Sequence, residues 1–180
     1  ACAKVGEAAE RMVEGAAGAG RRVYDTMTGK GSAQFGKAQN VRVDHLEWGK
    51  GIQKQGMPFE DFVATRLPQG SRLPANFKTF DYYDELSGRA ISVKTMDTNT
   101  MAKLENPSQI YSTLKGNIDA MINFTEHELQ GVKIVSDKLQ ARELFLGVPK
   151  APLPTQQLHI ERAIDYAKLN GIKVEVFHVF

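Results

Sequence analysis

The sequence is poor in several features that commonly reveal a function. Its 180 residues include one cysteine, Cys2, which excludes an internal disulfide and argues against a cysteine-rich metal site. No apolar run approaches the roughly 18 residues that a membrane-spanning helix requires. The four histidines are scattered without paired spacing, which disfavours a histidine metal cluster or a two-histidine ribonuclease site. The formal net charge is only +2, so a nucleic-acid partner would have to be held by a local basic patch.

The remaining composition is that of a folded domain with a distinct N-terminal part. Hydrophobic residues make up 42% and charged residues 24%, ordinary values for a globular chain of this length. Residues 1–39 are rich in alanine and glycine and contain few large apolar side chains. Because glycine weakens helices, this part is predicted to be a helical or flexible lead-in or linker. The folded domain is predicted to span residues 40–180.

Apolar periodicity and turn residues predict alternating helices and strands in the domain. The predicted elements are a helix carrying Pro58, a hairpin of 80–86 and 89–95, a helix from Pro107 after the capping residue Asn106, a hairpin of 129–135 and 139–148 around Asp137 and Lys138, a helix from about 155 to 170, and a strand at 172–179. This order indicates an α/β fold with a central mixed β-sheet flanked by helices.

The first predicted hairpin places polar side chains together. If Ser87 and Gly88 form a two-residue turn, Asp81 lies opposite Lys94. The period of two then places Asp81, Tyr83, Ser92 and Lys94 on one polar face, with Phe80, Tyr82, Ile91 and Val93 on a core face. A four-residue loop preserves this division, whereas a three-residue loop would move Asp81 to the other face from Lys94.

An acid at the start of one strand and Ser92-Val93-Lys94 in the next resembles the PD-(D/E)xK nuclease superfamily. That family also carries a glutamate on the preceding helix, and Glu60 occupies the corresponding place. The sequence departs from the motif at two positions: Phe80 stands where the proline would precede Asp81, and Ser92 replaces a second acid. The resemblance implies a restriction-endonuclease-like fold.

The resemblance also implies a catalytic role for Glu60, Asp81, Ser92 and Lys94. Glu60 and Asp81 would bind one divalent metal ion, with Ser92 as a further ligand or the holder of a metal-bound water. Lys94 would orient the attacking water or neutralise charge that develops on the phosphate. With two carboxylates instead of three, both Zn²⁺ and Mg²⁺ are open. If the register differs, the nearby carboxylates that would substitute are Asp84, Glu85 and Asp97.

The whole arrangement of a Gly/Ala-rich lead-in followed by a compact nuclease resembles the C-terminal toxin region of a contact-dependent growth-inhibition (CDI) effector. This resemblance implies export within a larger cell-surface effector, action in the cytoplasm of the target bacterium, and neutralisation by a cognate immunity protein. DNA is the expected substrate and transfer RNA the alternative, because nothing in the sequence suggests a base-stacking groove for single strands. A non-catalytic nucleic-acid-binding module and a protein-interaction domain remain alternatives. The hairpin near residues 130–142 is predicted to bind the immunity protein by strand addition.

Overall fold

The structure is a computed structural model and describes residues 38–180, so most of the predicted lead-in lies outside it. The strands are Gln39–Val41 (β1), Tyr82–Asp84 (β2), Arg89–Thr95 (β3), Glu126–Leu129 (β4), Val132–Val135 (β5), Ala141–Pro149 (β6) and Ile172–Val179 (β7). The helices are Met57–Ala64 (α1), Met101–Glu105 (α2), Ser108–Ile122 (α3) and Pro154–Leu169 (α4). A π-helical turn, Ile52–Gly56, precedes α1, and a 3₁₀ turn, Ser136–Lys138, follows β5. No helix in the described part of the chain is long and apolar enough to cross a membrane.

The centre of the fold is a five-stranded mixed sheet with the order β1-β7-β6-β3-β2. Strands β1, β7, β6 and β3 run parallel to one another. Strand β2 pairs antiparallel with β3 at the edge of the sheet. Strand β6 lies in the middle and is buried from Glu143 to Pro149, as expected for a parallel strand covered on both faces. The predicted mixed α/β fold is therefore confirmed.

Helices cover both faces of this sheet. On one face, α3 and α4 pack on β6 through side chains that include Ile110, Ile160 and Leu144. On the other face, α1 packs through Phe59 on Phe145 and the neighbouring strands. Burying each of these large apolar side chains contributes about 1.5–3 kcal/mol to folding. The sheet is thus held between two separate apolar layers.

Helix α1 lies close to the sheet because Gly147 of β6 has no side chain. A Cβ at Gly147 would lie 3.0 Å from Cε2 and Cζ of the Phe59 ring. Nine in ten real Cβ contacts are longer, so a side chain at this position would require the ring to move by a few tenths of an ångström. Gly147 therefore determines how deeply α1 packs, and α1 also carries Glu60.

Several elements with local sequence signals agree with the prediction. Pro58 lies in the first turn of α1, and Gly171, with a φ of 72°, follows the end of α4. Strand β7 has the predicted bounds, and α3 begins one residue after Pro107, at Ser108. The short helix α2 was not predicted.

The predicted second hairpin is wrong. Strand β4 pairs with β5 through a two-residue turn at Gln130 and Gly131, whose φ angles are 52° and 79°. Positive φ at both positions is typical of the type I′ turns that close tight hairpins. Residues 141–149 form β6 instead, which pairs in parallel with β3 and β7 and not with residues 129–135. Asp137 and Lys138 lie in the 3₁₀ turn that leads into β6.

Candidate active site

The loop of the first hairpin has four residues, not two. Asp84 pairs with Arg89, so the loop spans residues 85–88. The Asp84 carboxylate closes it by accepting hydrogen bonds from the Leu86 N–H at 3.2 Å and the Ser87 hydroxyl at 2.5 Å. Gly88 ends the loop with a φ of 66°. The predicted two-residue turn is therefore wrong. The Asp84 side chain accepts hydrogen bonds within the longer loop, which stabilises that loop instead of a tight turn.

This loop changes the partner of Asp81. Strand β2 pairs Tyr82 with Ile91, and one further step places Asp81 opposite Ser92 instead of Lys94. The register differs from the predicted one by two residues, so Asp81, Ser92 and Lys94 still belong to one side of the hairpin.

The predicted division into a polar face and a core face is only partly correct. Tyr82, Ile91 and Val93 belong to the apolar layer under α1, as expected for the core face. The other face is also covered, because α3 and α4 pack there, and Ser92 is only 2% exposed. Phe80 packs in that second layer rather than beside Tyr82, since it precedes the strand and does not follow its alternation.

Asp81 directly precedes β2, at the point beyond which β3 continues without an antiparallel partner. Its N–H donates to the Ile91 carbonyl at 2.9 Å, and its Oδ2 accepts a hydrogen bond from the Val93 N–H at 2.6 Å. The carboxylate thus supplies the acceptor that a longer β2 would have offered. Lys94 Nζ lies 3.7 Å from the same oxygen. The Asp81 side chain is 26% exposed, so it remains accessible at this edge.

The surroundings of Asp81 disfavour its charge. Burial raises the pKa of the Asp81 carboxyl above its usual range. The Lys94 ammonium, the Val93 N–H and the Arg72 guanidinium lower that pKa without offsetting the burial. A carboxylate kept in such a place beside a lysine is typical of functional sites.

Glu60 projects from α1 and is held by an arginine. Its Oε1 accepts hydrogen bonds from Arg72 Nε at 3.1 Å and Nη2 at 2.8 Å. Arg72 Nη1 donates to Asp61 Oδ1 at 2.7 Å, and the hydrogen bonds to both acids raise the pKa of Arg72, with Asp61 contributing most. The Tyr82 hydroxyl donates to the Glu60 carbonyl at 2.9 Å, which ties α1 to β2.

The electrostatics of Tyr82 link Glu60 with Asp81. Burial raises the pKa of Tyr82 to about 12, and Arg72 opposes this increase. Glu60, Asp61 and Asp81 each raise that pKa further, so all three carboxylates lie within electrostatic range of one phenol. Asp81 contacts Lys94, and Glu60 contacts Arg72, whose guanidinium also lowers the pKa of Asp81.

Comparison with known proteins identifies the family of this domain. Residues 55–177 match the family model described as the CDI toxin restriction endonuclease-like domain. The chain belongs to this family. The matched range spans the positions of Glu60, Asp81, Ser92 and Lys94, whose roles remain a prediction.

Two curated relatives and one solved structure are similar to this CDI toxin domain. Deoxyribonuclease CdiA-o11 of Escherichia coli O157:H7 (strain EC869) is 51% identical over 134 residues, which make up 74% of this chain and 36% of the relative. Deoxyribonuclease CdiA of Yersinia pseudotuberculosis serotype O:3 (strain YPIII) is 48% identical over 134 residues, 74% of this chain and 12% of the relative. The chain therefore spans a minor part of either relative.

The solved structure is described as a CdiA-CT/CdiI toxin and immunity complex from Yersinia pseudotuberculosis. It is 48% identical, with a TM-score of 0.65, and the match covers 69% of this chain and 100% of that chain.

Two of the other carboxylates considered from the sequence, Asp84 and Asp97, accept local backbone hydrogen bonds in this CDI toxin domain. Asp84 ends β2 and closes the hairpin loop with its side chain, and Glu85 is the first residue of that loop. Asp97 accepts a hydrogen bond from the Asn99 N–H in the loop after β3. Sequence reasoning missed Arg72, because a single arginine in a segment without periodicity carries no recognisable signal.

The donor set suits a cation that keeps most of its water. Within residues 38–180, no group of three or more histidine, cysteine, aspartate or glutamate side chains is arranged to hold a metal ion. Glu60 and Asp81 each use one carboxylate oxygen in the hydrogen bonds described, which leaves Oε2 and Oδ1 for a ligand. Mg²⁺ commonly binds through one or two carboxylates, with waters and substrate phosphates completing its shell. Glu60 Oε2 and Asp81 Oδ1 are oxygen donors of the type that such a cation takes.

Proposed function

We propose that this chain is the nuclease domain of a CDI toxin and that it hydrolyses phosphodiester bonds in DNA with one divalent cation, Mg²⁺ or Zn²⁺. The observation that carries the proposal is the pairing of Asp81 with Lys94, next to the start of β2, in a domain of the CDI toxin restriction endonuclease-like family. Two relatives named deoxyribonucleases support DNA as the substrate, with transfer RNA as the alternative.

Each site residue has a role that its position allows. A divalent cation held by Glu60 and Asp81 would polarise the scissile phosphate and lower the pKa of an attacking water. The Lys94 ammonium lies beside Asp81 Oδ2 and would stabilise the negative charge that develops on the phosphate. Ser92 is buried opposite Asp81, so its hydroxyl contributes through an ordered water more readily than by direct contact with substrate.

The test uses purified full-length chain with plasmid DNA and, separately, transfer RNA. Cleavage of DNA should stop in EDTA and return when Mg²⁺ or Zn²⁺ is added in excess, which also identifies the effective ion. Asp81→Ala, Lys94→Ala and Glu60→Gln should each reduce cleavage by at least about 100-fold, the effect of losing one transition-state contact. Their circular dichroism should remain that of the wild type.

Matched controls separate the site from general loss of charge. Glu85→Ala and Lys138→Ala remove one acid and one lysine from exposed positions outside the site, and both variants should cleave at the wild-type rate. Retained cleavage in folded Asp81→Ala would refute the site. Cleavage of transfer RNA alone would instead assign the enzyme to the alternative substrate.

We further propose that a cognate immunity protein neutralises this toxin by adding a strand to the β4–β5 hairpin. The solved relative is a toxin and immunity complex. In the described part of the chain, β4 and β5 form a sheet of their own, so each has an outer edge without a strand partner. The hairpin covers residues 126–135, which shifts the binding segment expected at 130–142 towards the N-terminus.

Shortening the hairpin tests this mode of neutralisation. Replacing residues 128–133 with a two-glycine turn should weaken immunity binding at least about 100-fold in calorimetry, because the added strand loses its template. DNA cleavage should be unaffected, since the hairpin contains none of the proposed catalytic residues. Unchanged affinity would point to a partner that covers Asp81 directly.

Residues 1–39 are proposed to take part in delivery, within a larger exported effector that acts in the cytoplasm of the target bacterium.

A further inference from the structure

Arg72 has no role in the proposed catalysis, yet its backbone and side chain make several contacts with residues of the proposed site. It lies in a short segment that runs along the outer edge of β2 and forms an isolated antiparallel bridge with Tyr82. The Leu73 N–H donates to the Asp81 carbonyl at 2.9 Å, and the Tyr83 N–H donates to the Ser71 carbonyl at 2.7 Å. The backbone on both sides of Arg72 is therefore fixed to the strand that begins beside Asp81.

The Arg72 side chain crosses from this segment to helix α1. Two of its nitrogens converge on one oxygen of Glu60, Oε1, at 2.8 and 3.1 Å. Its third nitrogen, Nη1, donates a hydrogen bond to Asp61 Oδ1 at 2.7 Å, which further fixes the plane of the guanidinium. The guanidinium carbon also lies 6.0 Å from the centroid of the Tyr82 ring. Because a guanidinium presents its donors in a rigid fork, these contacts define the orientation of Glu60.

We propose that Arg72 is a positioning residue that fixes the Glu60 carboxylate by Oε1 and leaves Oε2 for the catalytic cation. This inference rests on the nuclease function proposed above. Glutamate is a long side chain with several rotatable bonds, and at 27% exposure packing alone does not restrain it. Groups that orient a metal ligand through hydrogen bonds strengthen metal binding, although they do not touch the metal.

Asp61 resolves an apparent conflict in this arrangement. A guanidinium beside a metal ligand would by itself repel a divalent cation. Asp61 supplies a second negative charge to Arg72, so the group of Glu60, Asp61 and Arg72 keeps a net charge of −1. Arg72 can therefore hold Glu60 without making the site positive.

The experiment measures metal affinity directly, without relying on cleavage. Metal-free full-length chain is titrated calorimetrically with MgCl₂ and, separately, with ZnCl₂. Arg72→Gln should weaken the affinity of the effective ion by about 10–100-fold, the usual effect of removing an orienting group. Arg72→Lys should recover little of this loss, because a flexible ammonium cannot reproduce the two-nitrogen contact with Glu60. Arg42→Gln, the matched control, removes a guanidinium from an exposed ion pair with Asp44 and should stay within about threefold of wild type.

Cleavage then provides a second readout. The cation concentration that gives half-maximal cleavage should rise in Arg72→Gln by the same factor as the dissociation constant. The maximal rate at saturating cation should change much less, since Glu60, Asp81 and Lys94 are all still present. Thermal melting reports whether each variant is folded. If Arg72→Gln does not fold, Arg72→Lys decides: weakened metal binding supports the proposal, and wild-type affinity overturns it.

Wild-type or tighter metal affinity in folded Arg72→Gln would overturn the proposal, and tighter affinity would mean that Arg72 competes with the cation for Glu60. Full recovery in Arg72→Lys would also overturn it, because charge and not geometry would then be sufficient. These outcomes leave the nuclease function intact when the wild-type chain still cleaves DNA. A wild-type chain that neither binds an ion nor cleaves DNA would instead overturn both proposals.

Discussion

Replacing Gly147 with alanine tests whether the depth of helix α1 controls the site. The added methyl group would lie 3.0 Å from two atoms of the Phe59 ring, which is buried between α1 and the sheet. The ring cannot withdraw freely, because it also packs edge-on against Phe177 with the ring centroids 5.7 Å apart. We therefore expect the few tenths of an ångström that the contact requires to come from a shift of α1, in which Glu60 directly follows Phe59.

The size of the effect follows from two opposing contributions. Overpacking a well-filled core by one carbon typically destabilises a protein by about 1–3 kcal/mol. Alanine is favoured over glycine within a strand by about 0.5–1 kcal/mol, because it restricts the unfolded chain. We therefore expect the free energy of unfolding to fall by about 1–2 kcal/mol, or a melting temperature lower by roughly 3–8 °C for a domain of this size.

The assay is a double-mutant cycle with Phe59→Leu. Leucine removes the ring atoms that meet the new methyl group, so the second substitution should relieve part of the first. Urea unfolding of the wild type, the two single variants and the double variant should give a favourable coupling of at least about 1 kcal/mol. At a temperature where all four proteins are folded, Gly147→Ala should cleave DNA more slowly, and Phe59→Leu should partly restore the rate.

Two results would refute this reasoning. Additive free energies would show that Gly147 and Phe59 do not contact each other as the structure describes. A destabilised Gly147→Ala variant with an unchanged cleavage rate would show that the position of α1 does not control Glu60.

Three further predictions concern individual side chains. Because burial raises the pKa of Asp81, its charge is unfavourable above about pH 4 in the metal-free protein. Asp81→Asn should therefore gain melting temperature relative to wild type as the pH rises from 4 to 7, and a constant difference would contradict this. Ser92→Ala should reduce cleavage less than Asp81→Ala, and an equal loss would indicate direct metal ligation. Glu143→Ala breaks the ion pair with Arg89 and should lower the free energy of unfolding, measured in urea, by about 2–3 kcal/mol. This is less than for a fully buried pair, because the Arg89 side chain keeps 30% exposure. A change below about 1 kcal/mol would contradict this prediction.

The sequence by itself determined the elements whose signals are local. Pro58 and the apolar spacing after it predict α1, and Gly171 predicts the end of α4, because these residues act on backbone conformation within one turn. The order of an acid on a helix, an acid before a strand and Ser-Val-Lys in the next strand also predicted the group Glu60, Asp81, Ser92 and Lys94. A family match over residues 55–177 supports the fold expected from that motif.

Only the tertiary structure decided which strands pair and what surrounds the site. Residues 141–149 are mostly apolar and follow a turn, so sequence alone could not distinguish a hairpin arm from a central parallel strand whose partners lie far away in the chain. The register of the first hairpin depended on loop closure by the Asp84 side chain, a contact that period-two alternation does not show. Arg72 reaches Glu60 only because the segment before β2 folds back along the sheet edge. Such contacts between distant residues arise from the packing of the whole domain and leave no periodic pattern in the sequence.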